Sequence, residues 1–340
     1  MARANGYNVV VVGATGLVGR QFLEIMLRRR FPVKSLRLLA SARSAGKRLR
    51  VGEDEIEVEE TTPNSFDSAD LCFISATTEV SRQLGPVAAA AGAVVIDDSS
   101  AFRMEPKVPL VVPEVNGDDL AWHKGVVAIP NCSTTPLVMA LWPLHQVNPL
   151  RRVVVDTYQS VSGTGSRAVE ELREQARSIL AGDAVTAEVY PHQIAFNLLP
   201  HIDSFLENGY SKEEWKMVQE TRKIMHEPEL AVSATCVRVP VLVSHSEAVH
   251  VELARPIEPQ EARRLLGEAP GLVVQDEPDA AVYPQPWAAA GKDEVFVGRV
   301  RGDSSHPNGL ALWLVVDNLR KGAALNAIQI AEELIARKLI

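Results

Sequence analysis

The first third of the chain alternates short apolar runs with segments of helical periodicity. A β-branched run at Asn8–Val12 is followed by a glycine loop and by apolar positions at helical spacing from Leu17 to Met26. Further strands are predicted at Leu36–Ala40, Leu71–Ser75 and Val94–Asp97. Continuous apolar strands separated by helices are typical of a parallel sheet that is covered on both faces. This part of the chain therefore predicts an α/β domain.

The pattern changes after Asn131, where the predicted strands become longer. Long antiparallel strands with helices on one side are typical of an α+β domain. The last segment, Ala323–Lys338, is amphipathic and is expected to pack on the first domain. We therefore expect one domain of residues 1–131 with 318–340, and a second of residues 132–317. The second has predicted strands at Arg152–Val161, Ala234–Val243, Ala248–Ala254, Val295–Arg301 and Leu310–Val316, and helices near Ser166–Leu180, Glu213–His226 and Pro259–Glu268.

Composition and charge exclude several classes of protein. The 340 residues are 46% hydrophobic and 23% charged, as in folded globular proteins. The net charge is −8, from 35 Lys and Arg against 43 Asp and Glu, which argues against nucleic acid or an anionic membrane as the main partner. No apolar run approaches the roughly 20 residues that span a bilayer, and the N-terminus lacks a signal-peptide pattern. The cysteines, Cys72, Cys132 and Cys236, lack disulfide or metal-site spacing, so we expect a cytoplasmic protein without a metal.

A glycine loop, Gly13-Ala-Thr-Gly16-Leu-Val-Gly19, directly follows the first strand and opens a helix. Glycines in such a loop allow a tight turn, close approach of a pyrophosphate and close packing of helix on strand. The helix N-terminus then stabilises the anion. The spacing is GxxGxxG rather than GxGxxG, and glycines can also simply turn the chain. Its place after the first strand favours a Rossmann-type dinucleotide-binding domain.

The loop after the second strand indicates which dinucleotide binds. It reads Ser41-Ala-Arg43-Ser44-Ala-Gly46-Lys47 and contains no carboxylate. NAD-binding domains carry an acidic residue near this point, which accepts hydrogen bonds from the ribose hydroxyls. Hydroxyls and cations suit a 2′-phosphate instead, so the loop predicts NADP, although a solvated basic loop would have the same composition.

Cys132 is the best candidate for a catalytic nucleophile. It lies in Pro130-Asn131-Cys132-Ser133-Thr134-Thr135-Pro136, the pattern of a helix cap and first turn. The positive end of a helix dipole favours thiolate, the nucleophilic form of cysteine. Cys72 and Cys236 lie in apolar strand patterns and are predicted to be core residues. A lone cysteine is often inert, but this one has the setting of a reactive thiol.

A partner base and a substrate-binding cation are predicted from the segment around residue 240. Of the eight histidines, His245 stands out because it lies in a predicted turn between two long strands. Arg238 lies within an otherwise apolar strand pattern, where a guanidinium generally needs an anionic partner or ligand. Spacing alone leaves both roles open.

A reactive thiol beside a nicotinamide indicates oxidation of an aldehyde, or its reverse, through a thioester. Sulfur is strongly nucleophilic in the first half of that reaction and a good leaving group in the second. Water or phosphate can cleave the thioester. Phosphate requires a small cationic pocket, which Arg103, Lys216 or Arg238 can supply.

Taken together, these residues resemble the aspartate-β-semialdehyde dehydrogenase family over essentially the whole chain. The resemblance is specific because many motifs occur in the family's order, and none of their residues departs from the pattern. The matching segments are GATGLVG, SARSAGK, Ser99-Ser-Ala-Phe-Arg103, PNCSTT, Gln159-Ser-Val-Ser-Gly163-Thr-Gly165, Glu213-Glu-Trp-Lys216, Arg238-Val-Pro-Val, His245 and Asp317-Asn318-Leu-Arg-Lys-Gly322.

The resemblance implies roles for individual residues. Cys132 would form the acyl intermediate, His245 would be the acid and base, and Gln159 would orient the intermediate. Arg238 and Glu213 would hold the amino-acid end of the substrate. It further implies phosphate contacts from Arg103, Asn131 and Lys216, and NADP contacts from Gly13, Thr15, Gly16, Leu17, Val18, Gly19, Ser41, Arg43, Ser44, Gly163 and Asn318.

The implied reaction is the NADPH-dependent reduction of β-aspartyl phosphate to aspartate semialdehyde, which feeds lysine, methionine and threonine synthesis. A homodimer formed through the catalytic domains is implied as well. The charges agree, because a substrate with an ammonium, a carboxylate and a phosphate needs one carboxylate and several cations. Glu213 and Lys216, three apart on a predicted helix, can face one cavity or form a surface ion pair.

Three other functions stay open at this stage. A reductase of N-acetylglutamyl phosphate has the same layout, but its substrate has no free ammonium for Glu213 to bind. A cysteine hydrolase or acyltransferase would use Cys132 and His245 and would leave the glycine loop and the 41–47 loop without a purpose. A non-enzymatic relative would be expected to lose Cys132, His245 or Arg238, and all three are present.

Overall fold

A computed structural model gives the structure of the protein and describes residues 6–340. Contacts divide the chain into two compact units, residues up to Asn131 with Ala323–Ile340, and Cys132–Gly322. Residues 318–322, which the sequence analysis assigns to the first domain, lie in the second unit because they pack and hydrogen-bond within it.

The first unit contains a seven-stranded sheet in the order β3-β4-β2-β1-β5-β6-β7. Its strands pair in parallel, except that β3 and β4 form an antiparallel hairpin. The predicted α/β fold is therefore confirmed, with the apolar runs forming the buried central strands. The strands are β1 (Tyr7–Val12), β2 (Val33–Ala40), β3 (Arg48–Val51), β4 (Asp54–Glu60), β5 (Leu71–Ile74), β6 (Val94–Asp97) and β7 (Val126–Ala128).

Helices cover both faces of this sheet and bury two apolar clusters. The helices are α1 (Leu17–Arg28), α2 (Thr78–Ala90), α3 (Pro113–Asn116) and the C-terminal helix α9 (Leu325–Ala336). In the first cluster Phe22 of α1 stacks on Phe73 of β5 with ring centroids 4.2 Å apart. The C-terminal helix, Leu325–Ala336, packs against α1, α3 and β6, as its amphipathic pattern predicts.

The second unit contains a six-stranded sheet in the order β11-β12-β13-β10-β8-β9. It was expected to be antiparallel, but β8 pairs in parallel with β9, and β11 pairs in parallel with β12. The sheet is mixed because the connections that lead into β9 and β12 pass through helices rather than hairpins. The strands are β8 (Leu150–Gln159), β9 (Ala231–Arg238), β10 (His245–Leu253), β11 (Leu272–Val274), β12 (Val295–Gly302) and β13 (Gly309–Val316).

Near the site, two strand boundaries differ from the predicted ones. The ninth strand ends at Arg238, not at Val243, because Pro240 lacks the N–H that a continuing ladder needs. The chain then turns at Ser244, whose φ is +78°, and His245 is already the first residue of β10, paired with Val316. His245 therefore lies on a strand rather than in a turn.

Helices of the second unit pack against this sheet. They are α4 (Thr134–Val147), α5 (Ser166–Ala181), α6 (Lys212–Ile224), α7 (Pro259–Glu268) and α8 (Pro286–Ala289), and the C-terminal helix of the first unit is α9. A capping box starts α6, in which Ser211 and Glu214 satisfy each other's backbone N–H groups. Within residues 6–340, no helix is both long enough and apolar enough to cross a membrane.

Candidate active site

The glycine loop of the first unit is shaped by close backbone approach. At Gly13, φ is +83° and a Cβ atom would lie 2.0 Å from the carbonyl oxygen of Ser75. At Gly19, in the first turn of α1, a Cβ atom would lie 2.3 Å from the carbonyl oxygen of Gly13. Only glycine fits at either position, so the chain can turn from β1 into α1 with its backbone exposed to a ligand. Leu17 and Val18 begin α1 directly after its N-cap Gly16, and the N-terminus of a helix favours a phosphate.

The loop expected to select NADP lies directly after β2, at the carboxyl edge of the sheet. Ser41 and Arg43 are exposed, and Ser44 is buried. Ligands of open parallel sheets bind at this edge. The structure therefore leaves the guanidinium of Arg43 accessible on the side of the sheet where a dinucleotide binds.

In the second unit, Cys132 lies immediately before Ser133, the N-cap of α4. Its Sγ is 3.2 Å from Nε2 of His245, although 113 residues separate the two in sequence. Burial lowers the pKa of His245 to about 3, and the charge of Arg238 acts in the same direction while Glu213 opposes it. The imidazole is therefore neutral in the resting protein, as a base must be.

Ser160 contacts the other ring nitrogen of His245, and Asn318 in turn binds Ser160. The N–H of Ser160 donates to Nδ1 of His245 at 3.0 Å, and Oγ of Ser160 lies 3.1 Å from the same nitrogen. The side-chain oxygen of Asn318 accepts from Oγ of Ser160 at 3.1 Å, from Oγ of Ser162 at 3.0 Å and from the N–H of Ser244 at 3.0 Å. Asn318 is 2% exposed, so its carboxamide oxygen is committed to this network.

Gln159 begins a chain of polar contacts at the end of β8. Its amide nitrogen donates to Glu213 at 3.0 Å, and its amide oxygen accepts from Thr157 at 3.2 Å. Lys216 donates to Glu213 at 3.1 Å and to Asp203 at 3.0 Å. Burial acts to lower the pKa of Lys216, but the charges of Glu213 and Asp203 outweigh it and the pKa is raised. Glu213 and Lys216 thus do form an ion pair, and it is a partly buried one that faces the site residues.

Arg238 is 5% exposed at the end of β9. Its Nη1 donates to the carbonyl oxygen of Ser160 at 2.8 Å, and its Nε has no hydrogen-bond partner within the described part of the chain. A Cβ atom on Gly163 would lie 3.1 Å from Nη1 of Arg238 and 3.3 Å from Nε2 of His245. Gly163, predicted to contact the cofactor, therefore lies against the catalytic and substrate-binding candidates.

Two further predicted phosphate ligands, Arg103 and Asn131, belong to the first unit and are both buried. The Nη2 of Arg103 donates to the carbonyl oxygen of Asp98 at 2.8 Å. Asp98 also accepts from Ser75, and burial raises its pKa to about 7. Arg103 is thus fixed at the carboxyl end of β6.

Sequence reasoning assigned no individual role to three residues that the fold brings into the site: Ser160, Thr157 and Asp203. Ser160 and Thr157 flank Gln159 within or beside a motif that had been recognised, so proximity in sequence was an available signal. No signal in the sequence pointed to Asp203, because its contact with Lys216 depends on the loop that precedes α6. Cys72 and Cys236 are fully buried, and burial raises the pKa of both thiols, which fits the predicted core role.

Within residues 6–340, no group of three or more His, Cys, Asp or Glu side chains is placed to hold a metal ion. The polar groups that meet around Cys132 and His245 are those of acyl transfer instead: a thiol, a neutral imidazole, an amide, a guanidinium and a carboxylate.

Comparison with known proteins identifies the class. Residues 8–123 match the family described as semialdehyde dehydrogenase, NAD binding domain, and residues 141–321 match semialdehyde dehydrogenase, dimerisation domain. The aspartate-semialdehyde dehydrogenase of Aquifex aeolicus is 51% identical over 339 residues, covering 98% of this chain and 100% of that protein. That of Bacillus subtilis is 48% identical, with 97% of each chain covered.

Solved structures agree with the sequence relatives. Aspartate semialdehyde dehydrogenase II of Vibrio cholerae, complexed with ASA, superposes with a TM-score of 0.95 at 44% identity, covering 98% of this chain and 99% of that one. The Candida albicans enzyme with NADP superposes with a TM-score of 0.78 at 28% identity, covering 98% and 100%. The fold and the family matches define a two-domain semialdehyde dehydrogenase. Within that class, the chain belongs to the aspartate-semialdehyde dehydrogenase family, as its motifs indicated.

Proposed function

We propose that this protein catalyses the NADPH-dependent reduction of β-aspartyl phosphate to aspartate semialdehyde and phosphate, through a thioester on Cys132. The observation that carries the proposal is the 3.2 Å contact between Sγ of Cys132 and Nε2 of His245, with Arg238 and Glu213 beside it. Family membership supports the same reaction.

In the first step the sulfur of Cys132 attacks the acyl carbon of aspartyl phosphate. The carbon–sulfur bond forms as the carbon–oxygen bond to phosphate breaks, so phosphate leaves with that electron pair. When bound, NADPH supplies the hydride that reduces the thioester. The resulting thiohemiacetal collapses to the aldehyde, and Cys132 regains its electron pair.

His245 moves the protons of this cycle at Nε2. It takes the proton of the Cys132 thiol before attack, and it returns a proton to the oxygen or sulfur as the thiohemiacetal forms and breaks. The lowered pKa keeps the ring neutral at physiological pH, and the carboxylate of Glu213 is the charge that favours the protonated ring once it has taken the proton. Gln159, held by Thr157 and Glu213, is suited to orient the acyl group with its amide.

The charges around the pair match the substrate. Arg238 offers a buried Nε without a partner in the described chain, which suits the substrate carboxylate. Glu213 is suited to the ammonium group, which N-acetylglutamyl phosphate lacks. Lys216 is proposed to bind phosphate, and Arg103 and Asn131 keep the phosphate-binding role that the family resemblance implies.

Residues of the first unit fit NADP. Backbone atoms approach each other closely at Gly13 and Gly19, and a side chain at either position would fill the space beside the loop. The start of α1 favours a pyrophosphate there. Ser41, Arg43 and Ser44 suit the 2′-phosphate, because a guanidinium and two hydroxyls bind phosphate and no carboxylate repels it. The solved Candida albicans relative carries NADP.

We further propose that the protein is a homodimer joined through the second unit, and that it works in the cytoplasm, where Cys132 stays reduced. Among the described residues, the large apolar side chains that are more than half exposed all lie in this unit: Leu180, Phe196, Leu198, Phe205 and Trp287. Such exposure is typical of an interface. A mass close to one chain of 37.0 kDa in light scattering would contradict the dimer.

The proposed reaction is tested by phosphate-dependent reduction of NADP⁺. We expect turnover with aspartate semialdehyde, none without phosphate or arsenate, and none above background with N-acetylglutamate semialdehyde. Turnover that prefers the acetylated substrate would show that Glu213 does not select an ammonium group. A thioesterase or acyltransferase activity without any change in NADP⁺ would contradict the redox function.

A further inference from the structure

Ser160 presents two groups of opposite hydrogen-bonding character to one nitrogen of the candidate catalytic histidine. Its backbone N–H donates to Nδ1 of His245 at 3.0 Å, while its Oγ lies 3.1 Å from the same Nδ1. Both residues are fully buried, so neither contact is exposed to bulk solvent. The state of Nδ1 therefore depends on which part of Ser160 it uses.

The N–H contact selects one tautomer. A nitrogen that accepts an N–H cannot carry a proton, so in the neutral ring the proton must then reside on Nε2, the atom that faces Cys132. With its proton on Nε2, the imidazole can donate to sulfur but cannot take a proton from a thiol. In this tautomer His245 is not a base toward Cys132.

The hydroxyl allows the other tautomer, in which the Ser160 N–H loses Nδ1 as its acceptor and the hydroxyl takes over the contact with Nδ1. To accept the thiol proton, Nε2 must be bare, and Nδ1 must then carry a proton in the neutral ring and in the imidazolium alike. That proton needs an acceptor, and Oγ of Ser160 is at the right distance. Its own hydrogen can be directed to Oδ1 of Asn318 at 3.1 Å or to Oγ of Ser162 at 3.0 Å, and either direction leaves a lone pair of Oγ for Nδ1.

Asn318 keeps the hydroxyl in this orientation. Its side-chain oxygen also accepts from Oγ of Ser162 and from the N–H of Ser244, each at 3.0 Å. Because that oxygen is fixed from two other directions, the hydroxyl of Ser160 has a constant acceptor and does not need to turn toward Nδ1.

We propose that Ser160 is a positioning residue whose hydroxyl accepts the Nδ1 proton of His245 and so lets His245 take the proton of Cys132. The inference rests on the proposed function, in which these two residues are nucleophile and base. The groups with charge that face His245 are Cys132 before α4, Arg238 on β9 and Glu213 on α6. Burial and Arg238 disfavour the imidazolium and Glu213 favours it, and an acceptor for its Nδ1 proton stabilises it further.

The test compares Ser160→Ala with Ser162→Ala. Each variant removes one buried hydroxyl that contacts Asn318, and the two hydroxyls also contact each other at 3.0 Å, but only that of Ser160 reaches His245. Both keep the backbone N–H of residue 160. The measurement is the pH dependence of alkylation of Cys132 by iodoacetamide, without substrate or cofactor, with the labelled cysteine located by peptide mass spectrometry.

In Ser160→Ala we expect the apparent pKa of Cys132 alkylation to rise by about one unit or more, which lowers the thiolate fraction about tenfold at a given pH. Ser162→Ala should shift it by less than about 0.3 units, and Ser160→Thr, which restores a hydroxyl, should return it toward wild type. The backbone at this position, with φ of −66°, suits alanine, and Ser160→Gly is a second variant that removes the same hydroxyl.

An unchanged profile in Ser160→Ala, or an equal shift in Ser162→Ala, would overturn the proposal, since the hydroxyl would then act only through packing. Either result leaves the proposed function standing if the wild type reduces NADP⁺ with aspartate semialdehyde. If the wild-type label falls on Cys72 or Cys236 and not on Cys132, the nucleophile assignment itself fails.

Discussion

At the scale of residues, burial governs how Cys132 and His245 exchange a proton. Their contact of 3.2 Å provides the path, and the loss of water around His245 keeps its ring neutral. A neutral imidazole is the form that accepts a proton, and the thiolate is the form of cysteine that attacks a carbonyl. The pair is chemically useful only because both features occur together.

The covalent step is tested by Cys132→Ala. Without sulfur no thioester can form, so phosphate-dependent reduction of NADP⁺ by aspartate semialdehyde should fall by at least about a thousandfold. NADPH affinity, measured by fluorescence, should stay within a few-fold of wild type. Cys72→Ala is the control, because Cys72 is a buried core residue of β5 and should change stability without removing turnover. Retained turnover in Cys132→Ala would contradict the covalent mechanism.

At the scale of elements, the first unit places its ligand-binding groups where strands end and loops begin. The loop between β1 and α1 and the loop after β2 lie at the same edge of the sheet, because β1 and β2 pair in parallel. Parallel strands align their carboxyl ends, so two loops that are distant in sequence serve one ligand. The two predictions that follow each test one of these loops.

Gly19→Ala tests the close approach within the first loop. The new Cβ would lie 2.3 Å from the carbonyl oxygen of Gly13, so the backbone of the loop has to move. We expect a loss of roughly 1–3 kcal/mol of stability and weaker NADPH binding. Differential scanning calorimetry and NADPH titration measure the two effects. Gly302→Ala is the matched control, since nothing lies within 4 Å of its new Cβ.

Arg43→Glu tests the loop after β2. A carboxylate there repels a 2′-phosphate and can accept hydrogen bonds from ribose hydroxyls, so the preference should move from NADP⁺ toward NAD⁺. The ratio of kcat/KM for the two cofactors is the measurement. Arg48→Glu on β3, another exposed arginine, serves as the control for charge alone. An unchanged ratio in Arg43→Glu would show that another segment selects the cofactor.

At the scale of the whole molecule, groups that are buried without full hydrogen bonding lower the free energy of unfolding. Glu247 on β10 is 1% exposed, and neither of its carboxyl oxygens has a hydrogen-bond partner in the part of the chain that is described. Burial raises its pKa well above the ordinary value. Two positions from His245, Glu247 is therefore held in its neutral form.

This burial predicts a direction of pH dependence. The folded protein keeps Glu247 protonated, whereas the unfolded chain releases that proton above about pH 4.5. The unfolded state then binds fewer protons, so stability falls as pH rises, by up to about 1.4 kcal/mol per unit, until the raised pKa is reached. Glu247→Gln removes this loss, and its Tm should gain on wild type between pH 5.5 and pH 8.

The control for this measurement is Glu252→Gln on the same strand, a half-buried carboxylate paired with Arg152. Its Tm should follow wild type across the same range. If Glu247→Gln and wild type lose Tm in parallel as pH rises, Glu247 does not titrate between the folded and unfolded states.

The elements themselves followed from the sequence wherever the signal was local. The helix at Pro259–Glu268 and the strand at Val94–Asp97 have the predicted bounds, because side-chain periodicity and the residues that begin and end an element act over a few positions. The ninth strand ended early at Arg238, and His245 belonged to a strand, because pairing with a distant strand decided both. The mixed pairing in the second sheet likewise depends on the long connections between its strands, which a local pattern does not show.

By itself, the sequence determined which reactive groups and motifs the protein has. These are a glycine loop between strand and helix, a cysteine at a helix start, and the order of motifs that marks the family. These are features of adjacent residues, whose geometry is set by backbone sterics and helix ends. The family resemblance already named His245 as the partner of Cys132, but only the tertiary structure established their contact. It also established that Ser160 contacts the ring while Asn318 binds Ser160, and that Lys216 contacts Asp203. Those outcomes depend on packing between distant segments and on the exclusion of water, and neither is encoded in local spacing.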